Sequence, residues 1–187
     1  MDDFKTLLAW EFAPFGSLTK YQLDLLERHY QLLCRWNKSI NLTTILDIRK
    51  VVQFHYCECL FLAQRLPTGE LRIADVGSGA GFPGIPVAIL RPDCAVDLIE
   101  SHQRKAAFLR EASQQLPNVS VISKRAEDCS GAYDWMISRA VRVEGMLKLA
   151  LAPRLALLVG RDDAGSFETL RVPWGERRVL AFDKHES

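Results

Sequence analysis

The amino-acid sequence predicts an α/β fold in which a mostly parallel, doubly wound sheet lies behind an N-terminal helical cap. Up to about residue 66, apolar residues recur at the spacing typical of helices. After Leu71, short apolar segments of strand length alternate with helical segments. A glycine-rich turn follows the first of these strands. We therefore predict a helical cap over residues 1–66 and a Rossmann-like core over residues 67–187, ending in a shortened hairpin.

The composition is that of an ordinary globular chain and excludes several classes of protein. The chain has 187 residues, of which 48% are hydrophobic and 25% charged, with a net charge of +1. A disordered chain would be less apolar, and no apolar run approaches the roughly 20 residues that span a bilayer. The acidic N-terminus, Met1-Asp2-Asp3, is unlike a signal peptide. We expect a monomeric, cytoplasmic protein without a membrane partner, whose five cysteines are reduced thiols.

Two helices are predicted in the cap. Thr19 is a suitable N-cap, because its hydroxyl can accept from an amide of the first turn. A second helix is expected from about residue 48 to residue 66, before Pro67. We interpret Trp10, Phe12 and Phe15 as core or staple residues rather than as base-stacking platforms. The first helix is indicated by apolar residues at spacings of three and four, namely Leu23, Leu26, Tyr30, Leu33 and Trp36.

Strands and helices alternate along the predicted core. Strands are expected at residues 71–76, 96–100, 119–122, 133–138 and 155–159. Helices are expected at residues 85–90, 103–115 and 143–151. Right-handed crossovers between such elements give a parallel sheet. Residues 170–172 and 178–182 are expected to add an antiparallel hairpin, with its turn at residues 173–176.

The glycine-rich turn is the sharpest functional motif. Gly77, Gly79 and Gly81 lie between a strand and a helix, where they permit a tight turn and let a ligand approach the backbone. Glu100 ends the next strand, where a carboxylate can accept from both ribose hydroxyls of a nucleoside cofactor. The alternative is a turn that is merely tight.

The charge of Asp75 and the spacing of the glycines favour S-adenosylmethionine over a dinucleotide as the cofactor. Dinucleotide sites usually read G-x-G-x-x-G, whereas this turn reads G-x-G-x-G after Asp75. A carboxylate there would repel a pyrophosphate but attract the cationic S-adenosylmethionine. Ala126 and Glu127 follow the third strand, where the adenine is expected to lie, and a solvated charged turn is the alternative for that segment.

These residues resemble a known family. Residues 75–86, with Arg125-Ala126-Glu127 and Ile137-Ser138-Arg139-Ala140, are similar to the bacterial 16S ribosomal RNA guanine-N7 methyltransferases. That family is also called small-subunit ribosomal RNA methyltransferase G, or glucose-inhibited division protein B. Trp36-Asn37-Lys38, Asn41-Leu42-Thr43 and His55 agree with its N-terminal pattern.

The resemblance implies a class I methyltransferase that transfers a methyl group from S-adenosylmethionine to a guanine N7 of 16S ribosomal RNA. It implies cofactor contacts at Gly77, Phe82, Ala126-Glu127 and Arg139. With the residues above, the expected cofactor site is Asp75, Gly77, Gly79, Gly81, Phe82, Glu100, Ala126, Glu127 and Arg139. The sequence departs from the family at Glu58, Cys59 and Val159. It also departs in a C-terminal region that we expect to lack a helix and a strand between residues 161 and 167.

The chemistry of N7 methylation predicts no catalytic base, because that nitrogen carries a lone pair and no proton. Alignment of the reacting atoms and exclusion of water are then sufficient. The N7 edge is hidden in the deep groove of an RNA duplex, so the target must be unpaired or splayed out. Arg139 and Arg142 are the expected contacts to RNA, in the form of 16S ribosomal RNA or the small ribosomal subunit. The alternatives are that Arg139 lines the cofactor pocket and that Arg142 is a solvated surface charge.

Other interpretations stay open at this point. The chain could methylate a different acceptor, or bind cofactor or RNA without catalysis. His55 and Asn41 are interpreted as structural residues that tie the cap to the sheet. His55 and Cys59 would share one face of a helix but Cys57 would not, so we favour buried thiols over a metal site.

Overall fold

Seven strands form one sheet in the order β3-β2-β1-β4-β5-β7-β6. The computed structural model describes residues 3–139, 142–165, 167–175 and 178–182. The first five strands are parallel, and β7 runs antiparallel to both β5 and β6. The mostly parallel sheet predicted from the sequence is therefore confirmed. The strands are β1 (Arg72–Val76), β2 (Ala95–Ile99), β3 (Val119–Ile122), β4 (Trp135–Arg139), β5 (Arg154–Gly160), β6 (Glu168–Arg171) and β7 (Arg178–Phe182).

The strand order brings the predicted site to one edge of the sheet. Asp75 pairs with Leu98 of β2 and with Ile137 of β4. The carboxyl ends of β1, β2 and β4 therefore lie side by side, where ligands bind in open α/β sheets. The helices of the core are α5 (Gly84–Leu90), α6 (Gln103–Ala112) and α7 (Val143–Leu147). The last two end earlier than the apolar spacing predicts.

The cap consists of α1 (Phe4–Phe12), α2 (Lys20–Trp36), α3 (Ile48–Val51), a π-helical turn (Val52–Cys57) and α4 (Glu58–Arg65). Thr19 caps α2 as predicted, and Gln22 completes a reciprocal capping box. The predicted second helix contains a π turn that no sequence pattern indicated. In that turn Glu58 donates its amide to the carbonyl of Gln53, five residues earlier.

The three aromatic residues expected in the core behave differently. Phe12 is buried and Phe15 packs against Phe61 and Trp174, as predicted. The prediction for Trp10 is wrong, since its side chain is 66% exposed and lies beside the Arg49 guanidinium. The reason is helical geometry, because α1 turns its other apolar face, with Leu7 and Leu8, into the core.

Cap and sheet share one hydrophobic cluster. It includes Leu26 and Tyr56 of the cap together with Ile85, Leu98 and Leu158 of the core. Trp36 of α2 also donates its indole N–H to Glu111 of α6 at 2.8 Å. The boundary at residue 66 between two parts stays a prediction, and the packing across it is continuous.

The C-terminal hairpin follows a short 3-10 turn, Arg161–Asp163. β6 occupies Glu168–Arg171 and pairs antiparallel with β7, so the predicted hairpin is present and its first strand begins two residues earlier than the sequence indicated. The predicted turn at residues 173–176 lies partly outside the described residues. Trp174 anchors the region on Phe15 and Phe61 of the cap. Among the described residues, no helix is both long enough and apolar enough to cross a membrane.

Candidate functional site

The glycine-rich turn leaves β1 and enters α5 with a backbone that side chains disfavour. Gly77, Gly79 and Gly81 have φ angles of 69°, 56° and 84°. A Cβ atom at Gly81 would lie 2.5 Å from Ile85 Cδ1 and 3.2 Å from His29 Nε2. Glycine at this position therefore answers both a conformational and a steric requirement.

Asp75 supports this turn from beneath. Its side chain is fully buried, and Oδ2 accepts the amide of Gly84 at 2.9 Å, at the start of α5. Burial raises the pKa of Asp75 from 3.8 to about 7, opposed by hydrogen bonds from Gly84 and Ser78. Oδ1 has no hydrogen-bond partner among the described residues. The carboxyl group therefore positions the turn and keeps one acceptor atom to spare.

Glu100 closes the turn from the neighbouring strand. Its Oε2 accepts the amide of Gly79 at 3.0 Å, and its Oε1 accepts the amide of His102 at 2.8 Å. The residue is only 7% exposed. A carboxylate oxygen accepts more than one hydrogen bond, so both oxygens retain capacity toward a ligand.

A cleft of about 340 Å³ opens above the turn. A loop of the cap, residues 41–45, forms one wall, so the cap is part of the site. Asn37 anchors this loop, since its Oδ1 accepts the amides of Leu42 and Thr43 and its Nδ2 donates to the carbonyl of Thr43. The cleft is lined by residues 41–45, His55, Gly77, Ser78, Ala80, Phe82 and Arg139.

The side chains of His55, Phe82 and Arg139 contact one another inside the cleft. The rings of His55 and Phe82 stack at 4.8 Å between centroids, and the Arg139 guanidinium lies 5.6 Å from the Phe82 ring. Arg139 donates to the carbonyl of Phe54 in the π turn at 2.7 Å. The Nε2 atom of His55 is 2.7 Å from the hydroxyl oxygen of Thr43. Arg139 therefore joins the end of β4 to the cap. His55 contacts the core through the Phe82 ring, whereas its hydrogen bond to Thr43 lies within the cap, so the expected hydrogen bond from His55 to the sheet stays a prediction.

Sequence reasoning missed His29 in α2. It is 2% exposed, its Nε2 lies 3.0 Å from the carbonyl of Ala80 in the glycine turn, and its Nδ1 lies 2.9 Å from the Tyr56 hydroxyl. A carbonyl only accepts, so Nε2 carries the proton and Tyr56 donates to Nδ1. Burial lowers the pKa of His29 to about 4, so the ring is neutral near pH 7. Its position between Leu26 and Leu33, within the apolar stripe, is the signal that could have found it.

Three of the predicted site residues line this cleft, namely Gly77, Phe82 and Arg139. Four belong to the turn and its supports without lining the cleft, namely Asp75, Gly79, Gly81 and Glu100.

The remaining predicted residues lie apart from the cleft and the turn. Ala126 and Glu127 occupy a 3-10 turn after β3, where Ala126 is half-buried and Glu127 exposed. Arg142 is exposed at the start of α7. Neither Ala126, Glu127 nor Arg142 lines the cleft. Ala140 and Val141 lie outside the described residues.

The residues present fit an adenosyl cofactor. The turn offers bare backbone, and Glu100 and Asp75 beside it offer acceptor atoms. The cleft meets the turn at Gly77, Ser78 and Ala80. The spare Oδ1 of Asp75 is a buried acceptor suited to a donor group. Within the described part of the chain, no group of three His, Cys, Asp or Glu side chains could hold a metal ion.

Comparison with protein families assigns most of the chain. The profile of the family described as "GidB: rRNA small subunit methyltransferase G" matches residues 22–154. A protein named ribosomal RNA small subunit methyltransferase G from Chromobacterium violaceum is 45% identical over 127 residues, covering 66% of this chain and 60% of that protein. A protein of the same name from Halorhodospira halophila is 37% identical over 171 residues, covering 88% and 80%.

The match to other relatives covers a smaller part of their length. The chain spans 55% of a protein of that name from Desulforamulus reducens, at 39% identity and with 66% of this chain covered. Among solved structures, the 23S rRNA methyltransferase ErmE has a TM-score of 0.52 at 13% identity, covering 66% of this chain and 65% of its own. Magnesium protoporphyrin IX methyltransferase from Synechocystis, solved with bound SAM, has a TM-score of 0.52 at 14% identity and covers 97% of both chains. These likenesses show a methyltransferase fold.

Proposed function

Because the chain belongs to the family of ribosomal RNA small subunit methyltransferase G, we propose that it transfers a methyl group from S-adenosylmethionine to N7 of a guanine in 16S ribosomal RNA. The observation that carries this proposal is the cleft between the glycine turn and the cap loop. At this cleft a glycine-rich backbone that a ligand can approach closely lies at the carboxyl ends of the parallel strands β1, β2 and β4. A cytoplasmic location and a monomeric state stay predictions.

The cofactor is held, on this proposal, by the turn and by the acids on either side of it. Glu100 would accept from the ribose hydroxyls, Gly77 and Gly79 would present their backbone, and Asp75 would offer Oδ1 to the amino group.

The remaining contacts would come from the neighbouring strands. Ala126 and Glu127 would contact the adenine, and Arg139 and Phe82 would line the end where the methyl group is transferred. When bound, S-adenosylmethionine supplies an electrophilic methyl group on a cationic sulfur.

The cleft lining fits an acceptor that needs no deprotonation. Both nearby carboxyl groups, Asp75 and Glu100, accept backbone amides of the turn. His55 is stacked on Phe82 and contacts Thr43. The work left to these residues is to align the guanine and to exclude water, and the cap loop contributes one wall of the cleft.

Exposed cations at the same edge of the sheet favour an RNA substrate. Lys124 and Arg125 follow β3, and Arg142 follows β4. The carboxyl ends of parallel strands meet at one edge of the sheet, so these three side chains lie on the edge that holds the glycine turn, outside the lining of the cleft. Lysine and arginine side chains in such positions bind phosphates without reading sequence.

Methylation of RNA tests the proposal directly. Purified protein with labelled S-adenosylmethionine is expected to methylate 16S ribosomal RNA or small subunits that lack the modification. Nuclease digestion should then yield N7-methylguanine at one position. The variant Gly77→Val is the control, because a β-branched residue resists the φ of 69° at this position. A methyl group on an amine, a ribose or a pyrimidine carbon would contradict the proposal.

The pH dependence of the transfer step tests the absence of a general base. At saturating cofactor and RNA, the single-turnover rate is expected to stay flat from about pH 6 to pH 9. Single-turnover kinetics in a series of buffers measure this rate. A tenfold rise per pH unit through neutrality would show that a base acts, and that the acceptor is not N7.

A further inference from the structure

A second cavity of about 350 Å³ lies in the cap, on the other side of the loop that walls the cleft. We call it the cap pocket. Its lining is mainly apolar, with Lys38, Asn37 and Cys34 among its polar members. Thr43 and Ile45 line both the cap pocket and the cleft. The two cavities are therefore separated by the thickness of a single chain.

The cap pocket presents a fixed aromatic ring and an uncovered leucine. The Tyr30 ring stacks on Phe4 at 4.6 Å between centroids and 9° between planes, so its position is fixed from behind. Leu46 is 78% exposed, although it lines the cavity. A flat ligand with apolar faces would stack and cover this surface, and every nucleobase has such faces.

Charge at the pocket is also suited to RNA. Lys38 lines the cap pocket and is exposed, and among the described residues it pairs with no carboxylate. The guanidinium of Arg104 reaches the neighbouring carbonyl of Ser39 at 3.2 Å. Lys38 at an apolar cavity matches the phosphate of a base bound there, and Arg104 adds a second positive charge at the next residue of the chain, Ser39.

We propose that the cap pocket holds a nucleobase adjacent to the methylated guanine, with Lys38 at the phosphate between them. This inference rests on the proposed function. It explains why one short loop forms a wall of both cavities, since neighbouring nucleotides splayed out of a strand would enter on its two sides. It also gives Asn37 a positioning role, because Asn37 fixes that loop through the backbone of Leu42 and Thr43.

An exposed substitution at the pocket tests the inference without disturbing the core. Leu46→Asp places a negative charge where the base and phosphate would lie. We expect the dissociation constant for the RNA substrate to rise about tenfold. The dissociation constant for S-adenosylmethionine and the single-turnover rate at saturating RNA should stay unchanged. Leu170→Asp is the matched control, because Leu170 is an exposed leucine on the edge strand β6 of the hairpin.

The outcomes are distinct. Unchanged RNA affinity in Leu46→Asp, or an equal loss in Leu170→Asp, would overturn the inference. A parallel loss of cofactor affinity would also overturn it, since it would show a displaced loop. Tight binding of a free apolar compound, with RNA affinity unaffected by the substitution, would assign the pocket to a small ligand instead. Failure of the wild-type protein to methylate RNA would contradict the proposed function itself.

Crosslinking tests adjacency. Once the methylated guanine is mapped, RNA with a photoreactive base at the position on either side of it is irradiated in complex with the wild-type protein. Mass spectrometry is expected to find the crosslink in peptides from residues 29–50. Crosslinks from both flanking positions that fall only in the sheet or the hairpin would overturn the inference.

Discussion

The two ends of the candidate cofactor site are built differently. At the turn, Asp75 and Glu100 are buried and each accepts backbone amides, and His29 holds the turn from the cap. After β3, Ala126 and Glu127 lie in a short turn at the surface. The groups of the first end are held in place by the protein's own hydrogen bonds, whereas at the second end Ala126 is half-buried and the Glu127 side chain is exposed to solvent. We infer that most of the affinity for the cofactor comes from the turn.

The largest effect is expected from a substitution that disrupts the packing of the glycine turn. A Cβ atom at Gly84 would meet Leu98 and would lie 2.5 Å from Asp75 Oδ2. Gly84→Ala is expected to lower the free energy of unfolding by about 4 kcal/mol, combining overpacking with a strained buried hydrogen bond. Urea denaturation followed by circular dichroism measures this change.

Gly145 provides the matched control for Gly84. A Cβ atom there would meet nothing within 4 Å, and the residue lies in α7. Gly145→Ala is expected to leave stability unchanged or to raise it by up to about 1 kcal/mol. Equal effects of the two substitutions would show that the turn is not tightly packed.

The buried carboxyl group gives a second test through pH. The pKa of Asp75 is about 7 in the folded chain and near 3.8 when unfolded. Between these values the folded state binds more protons than the unfolded state, so Asp75 makes stability fall as pH rises from about 4 to 7. Each unit of the difference corresponds to about 1.4 kcal/mol. Asp75→Asn should remove this slope, measured as the free energy of unfolding against pH.

The difference between wild type and Asp75→Asn isolates this contribution. His29 acts in the opposite direction, because its depressed pKa of about 4 makes stability rise from pH 4 to about 6.5 in both proteins. Contact between Asp75 and the cationic cofactor would also make cofactor affinity rise with pH through 7 in the wild type alone. Identical pH profiles of affinity in the two proteins would count against that contact.

A substitution of Glu100 tests the contribution of the glycine turn to cofactor binding, with a smaller expected effect. Glutamine has one acceptor oxygen, so Glu100→Gln cannot hold both Gly79 and His102 as the carboxylate does. Cofactor binding is expected to weaken by about 1–3 kcal/mol, measured by titration calorimetry. Equal affinity of the wild type for normal and 2′-deoxy cofactor analogues would contradict a contact to the ribose.

The smallest effect is expected at the exposed end. Glu127→Ala removes a solvated side chain outside the cleft lining, so cofactor affinity should change by less than about 1 kcal/mol. Calorimetry under the conditions used for Glu100→Gln makes the two values comparable. A loss larger than that of Glu100→Gln would reverse the comparison and show that the turn after β3 closes on the cofactor.

The sequence predicts the first end better than the second, for physical reasons. Strand period, glycine spacing and the acid at the end of β2 are local patterns, and they place Gly77, Gly79, Gly81 and Glu100 correctly around the turn. The contacts of His29 with Ala80 and of Arg139 with Phe54 join residues 51 and 85 positions apart. No local pattern reports such pairs. The sequence did not predict the exposure of Trp10, because apolar residues lie on two sides of α1 and only packing decides which side is buried.

His29 couples the opening of the cap to the opening of the glycine turn. Its ring is 2% exposed and joins α2 to the carbonyl of Ala80 and to Tyr56. Opening the cap would break the buried hydrogen bond between His29 and Ala80, so the amides of both regions should exchange with solvent in one cooperative event rather than separately. A ligand held by the turn would then slow exchange in a helix that it does not touch.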